Sequence, residues 1–230
     1  MIGRMSVPGR VDAAALLLSL QPPAWHLRHV RAVAEIAAWL AFRAVAAGHP
    51  VDRALVEAAA LLHDVDKVLP VGDPIRVLPH GVGTAAWLTA RGHRELAAAV
   101  TGHPVTRLAA TDADAWLDRA SREELIVAYA DKRASQHLLP MADRFADWTR
   151  RYPESVSWRG WSVAEATAVR RRAERLESAA CALADVTPGT VRRLPWTGRA
   201  LAVARAGVDT AGVPAGAVAE DAAAAARASG

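Results

Sequence analysis

The chain has 230 residues, enough for one domain with a sizeable core, and its 52% hydrophobic share includes only 5% aromatic residues. Because alanine and leucine supply much of that share and favour helix, the composition argues against an all-β sandwich or barrel. The single cysteine, Cys181, excludes an internal disulfide and a cysteine-rich zinc module. No run of about 18 apolar residues exists, which excludes a transmembrane helix, and we expect a cytoplasmic protein.

The net charge of +4 does not by itself indicate nucleic-acid binding, because the basic residues are scattered among acidic ones. The one basic run, at residues 170–172, lies on a predicted helix beside Glu174 and Glu177, which is typical of a solvated helix face. No nucleic-acid-binding motif is recognisable. The sequence therefore argues against nucleic acid as a partner.

The first long helix is predicted over about residues 26–47, where apolar residues recur at spacings of three and four. Gly48 and Pro50 end it. Asp52 is a suitable N-cap for a second helix, in which the same spacing continues. Both elements therefore have the apolar stripe of an amphipathic helix.

The stretch from Val68 to Pro79 holds three prolines and a glycine, which predicts a loop. Further helices are predicted over about residues 80–91, 93–101, 121–131 and 162–184. The last two each begin with a predicted capping box, formed by Ser121 with Glu124 and by Ser162 with Glu165. No strand is predicted, so the expected fold class is all-α.

The C-terminal part has a different character, because glycine and proline recur from Val186 onward and break any long element. Residues 222–230 are mostly alanine, a low-complexity segment. We expect the residues from about 205 to be mobile or weakly helical and to lie outside the core.

The positions of histidine and aspartate residues indicate a metal site. Imidazole and carboxylate groups are natural ligands for divalent ions such as iron, manganese and zinc, and helical bundles build metal sites from facing helices. Asp64 and Asp131 each follow an apolar run, where a carboxylate is costly unless a cation compensates it. The candidate ligands are His29, His63, Asp64, His80, His103 and Asp131.

The order of these residues and their local strings resemble the HD superfamily of metal-dependent phosphohydrolases. The string Leu61-Leu62-His63-Asp64-Val65-Asp66-Lys67 is similar to the family's His-Asp-Ile-Gly-Lys signature. The segments that begin at His29 and end at Asp131-Lys132 are similar to those of its first and last ligands. Asp66 departs from the family pattern, in which glycine occupies this position; it either adds charge near the site or points to solvent.

The resemblance implies the architecture. An HD-domain helical bundle around a central metal site would cover residues 12–150. A C-terminal helical extension would follow over residues 151–204, and a low-complexity tail over residues 205–230.

The resemblance also implies roles for the candidate ligands. His29, His63, Asp64 and Asp131 would hold one divalent ion, and His80 and His103 would hold a second, with Asp64 bridging the two. We expect one or two ions, and the sequence leaves iron, manganese, magnesium and zinc open. Asp64 and Lys67 are the expected catalytic residues, and Lys67 and Arg133 the expected contacts to a substrate phosphate.

We therefore expect a metal-dependent phosphohydrolase that cleaves a phosphoester or phosphoanhydride of a small molecule, with a nucleotide as the preferred class. The Gly-Tyr-Pro motif of the cyclic-dinucleotide branch is absent, which argues against cyclic dinucleotides. Two alternatives stay open: a mixed-valent di-iron oxygenase of the HD fold, which has the same ligand order, and a non-catalytic nucleotide-binding regulatory module.

Four other histidines are not assigned as ligands. His26 lies one turn before His29 and is either a neighbour of the metal site or a rival first ligand. The sequence positions of His49, His93 and His137 predict that all three lie at the surface.

Overall fold

The computed structural model describes residues 7–151 and 161–211. This part of the chain forms ten α-helices and no β-strand, which confirms the predicted all-α class. The helices are α1 (Arg10–Leu18), α2 (Ala24–Ala46), α3 (Arg53–Leu62), α4 (Val82–Ala90), α5 (Arg94–Val100), α6 (Ala113–Arg119), α7 (Arg122–Lys132), α8 (Met141–Arg151), α9 (Val163–Ala184) and α10 (Thr197–Ala211). No helix in these residues is long and apolar enough to cross a membrane.

Helix α2 is the centre of the bundle and packs against α3, α7 and α9. Its residues 32–38 are all buried, so this part of the helix has no face toward solvent. Alanines at several of these positions let neighbouring helices approach closely. The alanine-rich composition therefore serves a tightly packed helical core.

The predicted helix starts are largely correct. The Asp52 side chain accepts a hydrogen bond from the Leu55 amide, as expected of an N-cap. Ser162 and Glu165 form both halves of a capping box at the start of α9. Ser121 caps α7, but the second hydrogen bond of the predicted capping box, from the Ser121 amide to the Glu124 side chain, is missing. The Glu124 carboxylate accepts instead from Trp116 Nε1 on the neighbouring helix α6, at 2.9 Å.

The expectation that glycine and proline break any long element after Val186 is wrong for α10. Pro195 precedes this helix and Gly198 lies in its first turn, where neither interrupts intrahelical hydrogen bonds. Leu201 and Ala204 are buried in the core that α1 shares, so residues 205–211 continue a docked helix. The rest of the predicted tail lies outside the described residues.

A buried carboxylate attaches this C-terminal part to the centre of the bundle. Glu35, 4% exposed on α2, accepts hydrogen bonds from Thr197 Oγ1 and from Arg193 Nε, the latter at 3.0 Å. The Leu194 amide donates to the Glu35 carbonyl at 2.9 Å. The C-terminal helices are thus packed on the same core as the helices that precede them.

Candidate metal centre

Two of the candidate ligands are presented where α2 and α3 meet. His29 lies in the second turn of α2, and its Nδ1 bonds the Ser135 carbonyl at 2.7 Å. His63 is the C-cap of α3, and its Nδ1 bonds the Ala60 carbonyl at 2.8 Å. A carbonyl oxygen can only accept, so each Nδ1 carries a proton, and in the neutral form of either ring the lone pair is on Nε2.

The other two histidines lie on short connections. His103 follows α5, is fully buried, and bonds the Val100 carbonyl through Nδ1 at 2.6 Å. His80 lies just before α4, and its Nδ1 bonds the Asp66 carboxylate at 3.0 Å. The Nε2 atoms of His80 and His103 lie 3.1 Å apart.

The two carboxylates come from the end of α3 and the end of α7. Asp64 follows His63 and leads into a single 3₁₀ turn, Val65–Lys67. Asp131 lies in the last turn of α7, where Lys132 Nζ donates to its Oδ2 at 2.7 Å. Lys132 is itself buried and also donates to the His103 carbonyl.

The structure brings all six candidate residues together. His29 Nε2 lies 3.4 Å from Asp64 Oδ2 and 3.3 Å from Asp131 Oδ1. His63 Nε2 lies 3.6 Å from the Oδ1 atoms of Asp64 and Asp131. Asp64 Oδ1 is also 3.3 Å from the Nε2 atoms of both His80 and His103. Asp64 therefore lies between two groups of ligand atoms.

These separations, 3.3–3.6 Å, are close to those of atoms that share a cation. Two donors about 2.1 Å from one ion, at an angle of about 90–110°, lie about 3.0–3.4 Å apart. Two sets each satisfy a mutual limit of 4.8 Å between ligand atoms: one comprises His29, His63 and Asp64, the other Asp64, His80 and His103. Asp64 is common to both.

Two buried polar atoms at the centre of this cluster have no hydrogen-bond partner: His63 Nε2 and Asp64 Oδ1. A buried polar atom without a partner costs about 1–3 kcal/mol, and more when it is charged. Both atoms are electron-pair donors that face the other ligands. The nitrogen and oxygen donors present therefore fit a divalent cation such as zinc, manganese or iron.

The electrostatics favour the ligating forms of the carboxylates. Burial alone would raise the pKa of Asp64 and of Asp131. His63 and Lys67 lower the pKa of Asp64 well below its usual range, and Lys132 and His29 do the same for Asp131. Both carboxylates are consequently charged at neutral pH.

The histidines differ from one another in proton affinity. Burial lowers the pKa of His103 to about 4, so its imidazole is neutral at physiological pH. Burial also opposes protonation of His29, but hydrogen bonds to Asp131 and Asp64 raise its pKa to about 9. Because a ligating imidazole must be neutral, a cation and a proton compete for His29.

Of the two predicted substrate contacts, only Lys67 lies at the site. Its Nζ donates to Asp64 Oδ2 at 2.7 Å, while 41% of its side chain remains exposed. Arg133 is 4% exposed and points elsewhere. Its guanidinium donates to the Tyr129 hydroxyl and, at 3.1 Å, to the Pro188 carbonyl, so these contacts direct Arg133 away from the candidate ligands.

Three further outcomes concern residues that the sequence left open or misplaced. His26 is fully buried and its Nε2 contacts the Asp64 carbonyl at 3.1 Å, so it lies beneath the cluster and is no rival of His29. His93, predicted to be at the surface, is buried at the start of α5. Asp66 points to His80 and not to solvent.

Residues 27–136 match the family model of the HD domain. The match confirms the family inferred from the sequence, and it indicates the superfamily of metal-dependent hydrolases. No curated protein and no solved structure matches the chain.

Proposed function

We propose that this protein is a metal-dependent phosphohydrolase that acts on a small phosphorylated molecule, with a nucleotide as the first class to test. The observation that carries the proposal is the set of four imidazoles whose Nδ1 atoms are held by acceptors. Their Nε2 atoms converge on two charged carboxylates, and in the neutral rings each Nε2 offers a lone pair. Positive charge at the centre of such a set of donors and carboxylates stabilises it.

The proposed ligands form two groups, one on each side of Asp64. His29, His63 and Asp131 would share one of its sides with a first divalent cation, and His80 and His103 would share the other with a second. Divalent cations bound in this way would polarise a phosphoryl oxygen and lower the pKa of a water molecule. The fixed Nδ1 hydrogen bonds prepare the ligands for this, because ring orientation and tautomer are set in advance.

The exposed side of the site is where a substrate would enter. His80 and Lys67 have 37% and 41% of their side chains exposed, whereas those of His63 and His103 are fully buried. Lys67 therefore faces both the carboxylate of Asp64 and the solvent. In our proposal its ammonium group leaves Asp64 in part to neutralise a substrate phosphate, to which it can donate charge-assisted hydrogen bonds.

The proposal is tested by metal analysis of protein purified without oxygen, followed by a screen for phosphate release. The panel contains nucleoside mono-, di- and triphosphates and phosphomonoesters without a base. We expect release that a chelator abolishes and that a divalent metal restores. The His137→Ala variant, which removes an exposed histidine outside the site, is a matched control and should keep full activity.

The same experiment separates the alternatives. Bound iron with oxygen consumption and no phosphate release would favour the di-iron oxygenase. Nucleotide binding that raises the melting temperature without any turnover would favour a regulatory module. Either result would contradict the phosphohydrolase.

A further inference from the structure

Asp66 makes three contacts that tie the turn after α3 to the start of α4. Its Oδ2 accepts hydrogen bonds from His80 Nδ1 at 3.0 Å and from the Gly81 amide at 2.8 Å. Its own amide donates to Thr84 Oγ1 at 3.3 Å. The Asp66 carboxylate thus joins two segments of the chain, since Asp66 and His80 are 14 residues apart in sequence.

The packing beside this carboxylate is close. A Cβ atom on Gly83 would lie 3.1 Å from Asp66 Cβ, a tighter contact than side chains normally make. The Asp66 side chain is 8% exposed. Its orientation is therefore fixed by neighbours on both sides, and it has little freedom to turn toward solvent.

His80 differs from the other three site histidines in what holds its ring. The Nδ1 atoms of His29, His63 and His103 bond backbone carbonyls, and these rings are mostly or fully buried. His80 lies on a connection, 37% of its side chain is exposed, and its Nδ1 bonds a side chain. The His80 ring packs edge-on against the ring of His103, with the centroids 4.7 Å apart, and the bond from Nδ1 to Asp66 holds its other side.

The bond also determines which nitrogen of His80 is available. A carboxylate can only accept, so Nδ1 carries the proton and Nε2 keeps its lone pair. That lone pair lies 3.3 Å from Asp64 Oδ1 and 3.1 Å from His103 Nε2. A charged acceptor on the distal nitrogen further increases the basicity of a ligating imidazole.

We propose that Asp66 is a positioning residue that makes His80 a ligand of a second divalent cation. Without Asp66 the chain would retain the cation position formed by His29, His63, Asp64 and Asp131 and would bind the second cation weakly. The inference rests on the proposed function, which supplies the second cation position. It goes beyond the proposed function by assigning a role to Asp66, which occupies a position where the family pattern has glycine.

The test is a titration of the full chain with Mn²⁺ alone, after removal of metals, with stoichiometry and affinity read by calorimetry and by electron paramagnetic resonance. Outer-shell partners of metal ligands typically change affinity by about 10–100-fold. Asp66→Ala should weaken the second Mn²⁺ by about that factor and leave the first unchanged. Asp66→Asn keeps an oxygen that can accept from His80 and Gly81, so it should recover most of the lost affinity.

Asp73→Ala is the matched control. It removes a carboxylate from the same connection, where Asp73 caps a 3₁₀ turn by accepting from the Ile75 amide, and it should leave both Mn²⁺ affinities at wild-type values. Melting temperatures of all variants separate loss of folding from loss of a ligand. If Asp66→Ala is unfolded, Asp66→Gly, which places the residue of the family signature at this position, removes the same carboxylate and is expected to weaken the second Mn²⁺ by the same factor.

Three results would overturn the inference: two Mn²⁺ bound by Asp66→Ala with wild-type affinities, Asp66→Asn no better than Asp66→Ala, or a single Mn²⁺ in the wild type. The proposed function fails separately. A wild-type chain that binds two Mn²⁺ but hydrolyses no phosphoester contradicts the phosphohydrolase and leaves the role of Asp66 intact.

Discussion

Gly81 and Pro104 touch at the point where the connections that carry His80 and His103 meet. A Cβ atom on Gly81 would lie 2.4 Å from Pro104 Cγ and 3.4 Å from His103 Cε1. Gly81 also has a φ of +85°, which side chains other than glycine rarely adopt. The absence of a side chain at this position therefore allows two distant histidines to approach each other.

The first prediction follows from this contact. Gly81→Ala should lower the free energy of unfolding by about 1–3 kcal/mol for the positive φ and by a further 1–3 kcal/mol for the overlap with Pro104. It should also weaken the second metal position, because Pro104 is joined to His103. Chemical denaturation and Mn²⁺ titration measure the two effects.

The control for this prediction is Gly72→Ala. Gly72 has a similar φ of +92° and lies on the same connection, but a Cβ there would meet no atom within 4 Å. It should show only the backbone cost and normal metal binding. Equal effects of the two substitutions would mean that the contact with Pro104 is unimportant.

A second prediction concerns Asp64, whose two oxygens face both groups of ligands. Asp64→Asn keeps the size and one oxygen but loses the charge, so both cations would be bound less tightly. Hydrolysis should fall by at least about 10²-fold, equivalent to about 2.7 kcal/mol of transition-state stabilisation. The fold should survive, but the melting temperature should fall, because Asp64→Asn removes the charged partner of Lys67, whose Nζ lies 2.7 Å from Asp64 Oδ2.

Turnover and melting temperature should be measured on the same samples of Asp64→Asn. Asp118→Asn, which neutralises an exposed carboxylate on α6, should behave as wild type in turnover. An Asp64→Asn variant with a near wild-type rate would remove Asp64 from the proposed mechanism.

The third prediction separates the two metal positions. His103 is fully buried and contributes only to the group that contains His80. His103→Ala should reduce metal content toward one ion per chain without unfolding the protein. Elemental analysis after dialysis gives the stoichiometry, and circular dichroism reports the fold. Unchanged stoichiometry would show that the dinuclear interpretation is wrong.

The fourth prediction concerns the attachment of the C-terminal helices through Glu35. Glu35→Ala removes the acceptor of Thr197 and the partner of Arg193, whose guanidinium lies 2.7 Å away in the ion pair. Since Thr197 is fully buried, its hydroxyl would lose a partner, and the free energy of unfolding should fall by about 1–3 kcal/mol. A denaturation midpoint equal to that of wild type would contradict this role.

A fifth prediction is a pH dependence away from the metal centre. Hydrogen bonds from Arg172, at 2.8 and 2.9 Å, lower the pKa of Asp114 in the folded protein. A carboxylate with a lowered folded pKa stabilises the fold above its unfolded pKa of about 3.9 and loses that contribution as pH falls. Asp114→Asn should therefore lower the melting temperature at pH 7, and the difference should shrink below about pH 4.

Melting curves of wild type and Asp114→Asn at pH 7, 5 and 3.5 test this dependence. The pair is partly exposed, so added salt should reduce the difference at pH 7. A difference that grew toward acidic pH would contradict the assigned pKa direction.

The six residues that converge could be named from the sequence because part of their signal is local. Each carboxylate follows an apolar run, and a carboxylate in such a position indicates a compensating cation even when its contacts in the fold are unknown. The same local logic predicted the helix starts at Asp52 and Ser162, where one side chain caps a turn of its own helix. Glu124 shows the limit of that logic, because a residue on α6 competes successfully for its carboxylate.

Arg133 and Asp66 required the tertiary structure. Each lies two residues after a proposed ligand, and residues two apart on a helix point to nearly opposite sides. Arg133 consequently turns from Asp131 toward Tyr129 and Pro188. Asp66 turns toward His80, a partner 14 residues away that only the folding of the intervening connection brings near.

The amino-acid sequence by itself determined the all-α class, because helix periodicity and capping depend on neighbours in the chain. Its histidine and aspartate strings also carried the resemblance to the HD superfamily, and with it the six candidate ligands. Only the tertiary structure decided which nitrogen each histidine presents, that Lys132 and Asp66 hold site residues in place, and that α10 docks on the core. The physical reason is that hydrogen-bond partners and buried contacts are set by distances in space between residues that are remote in sequence.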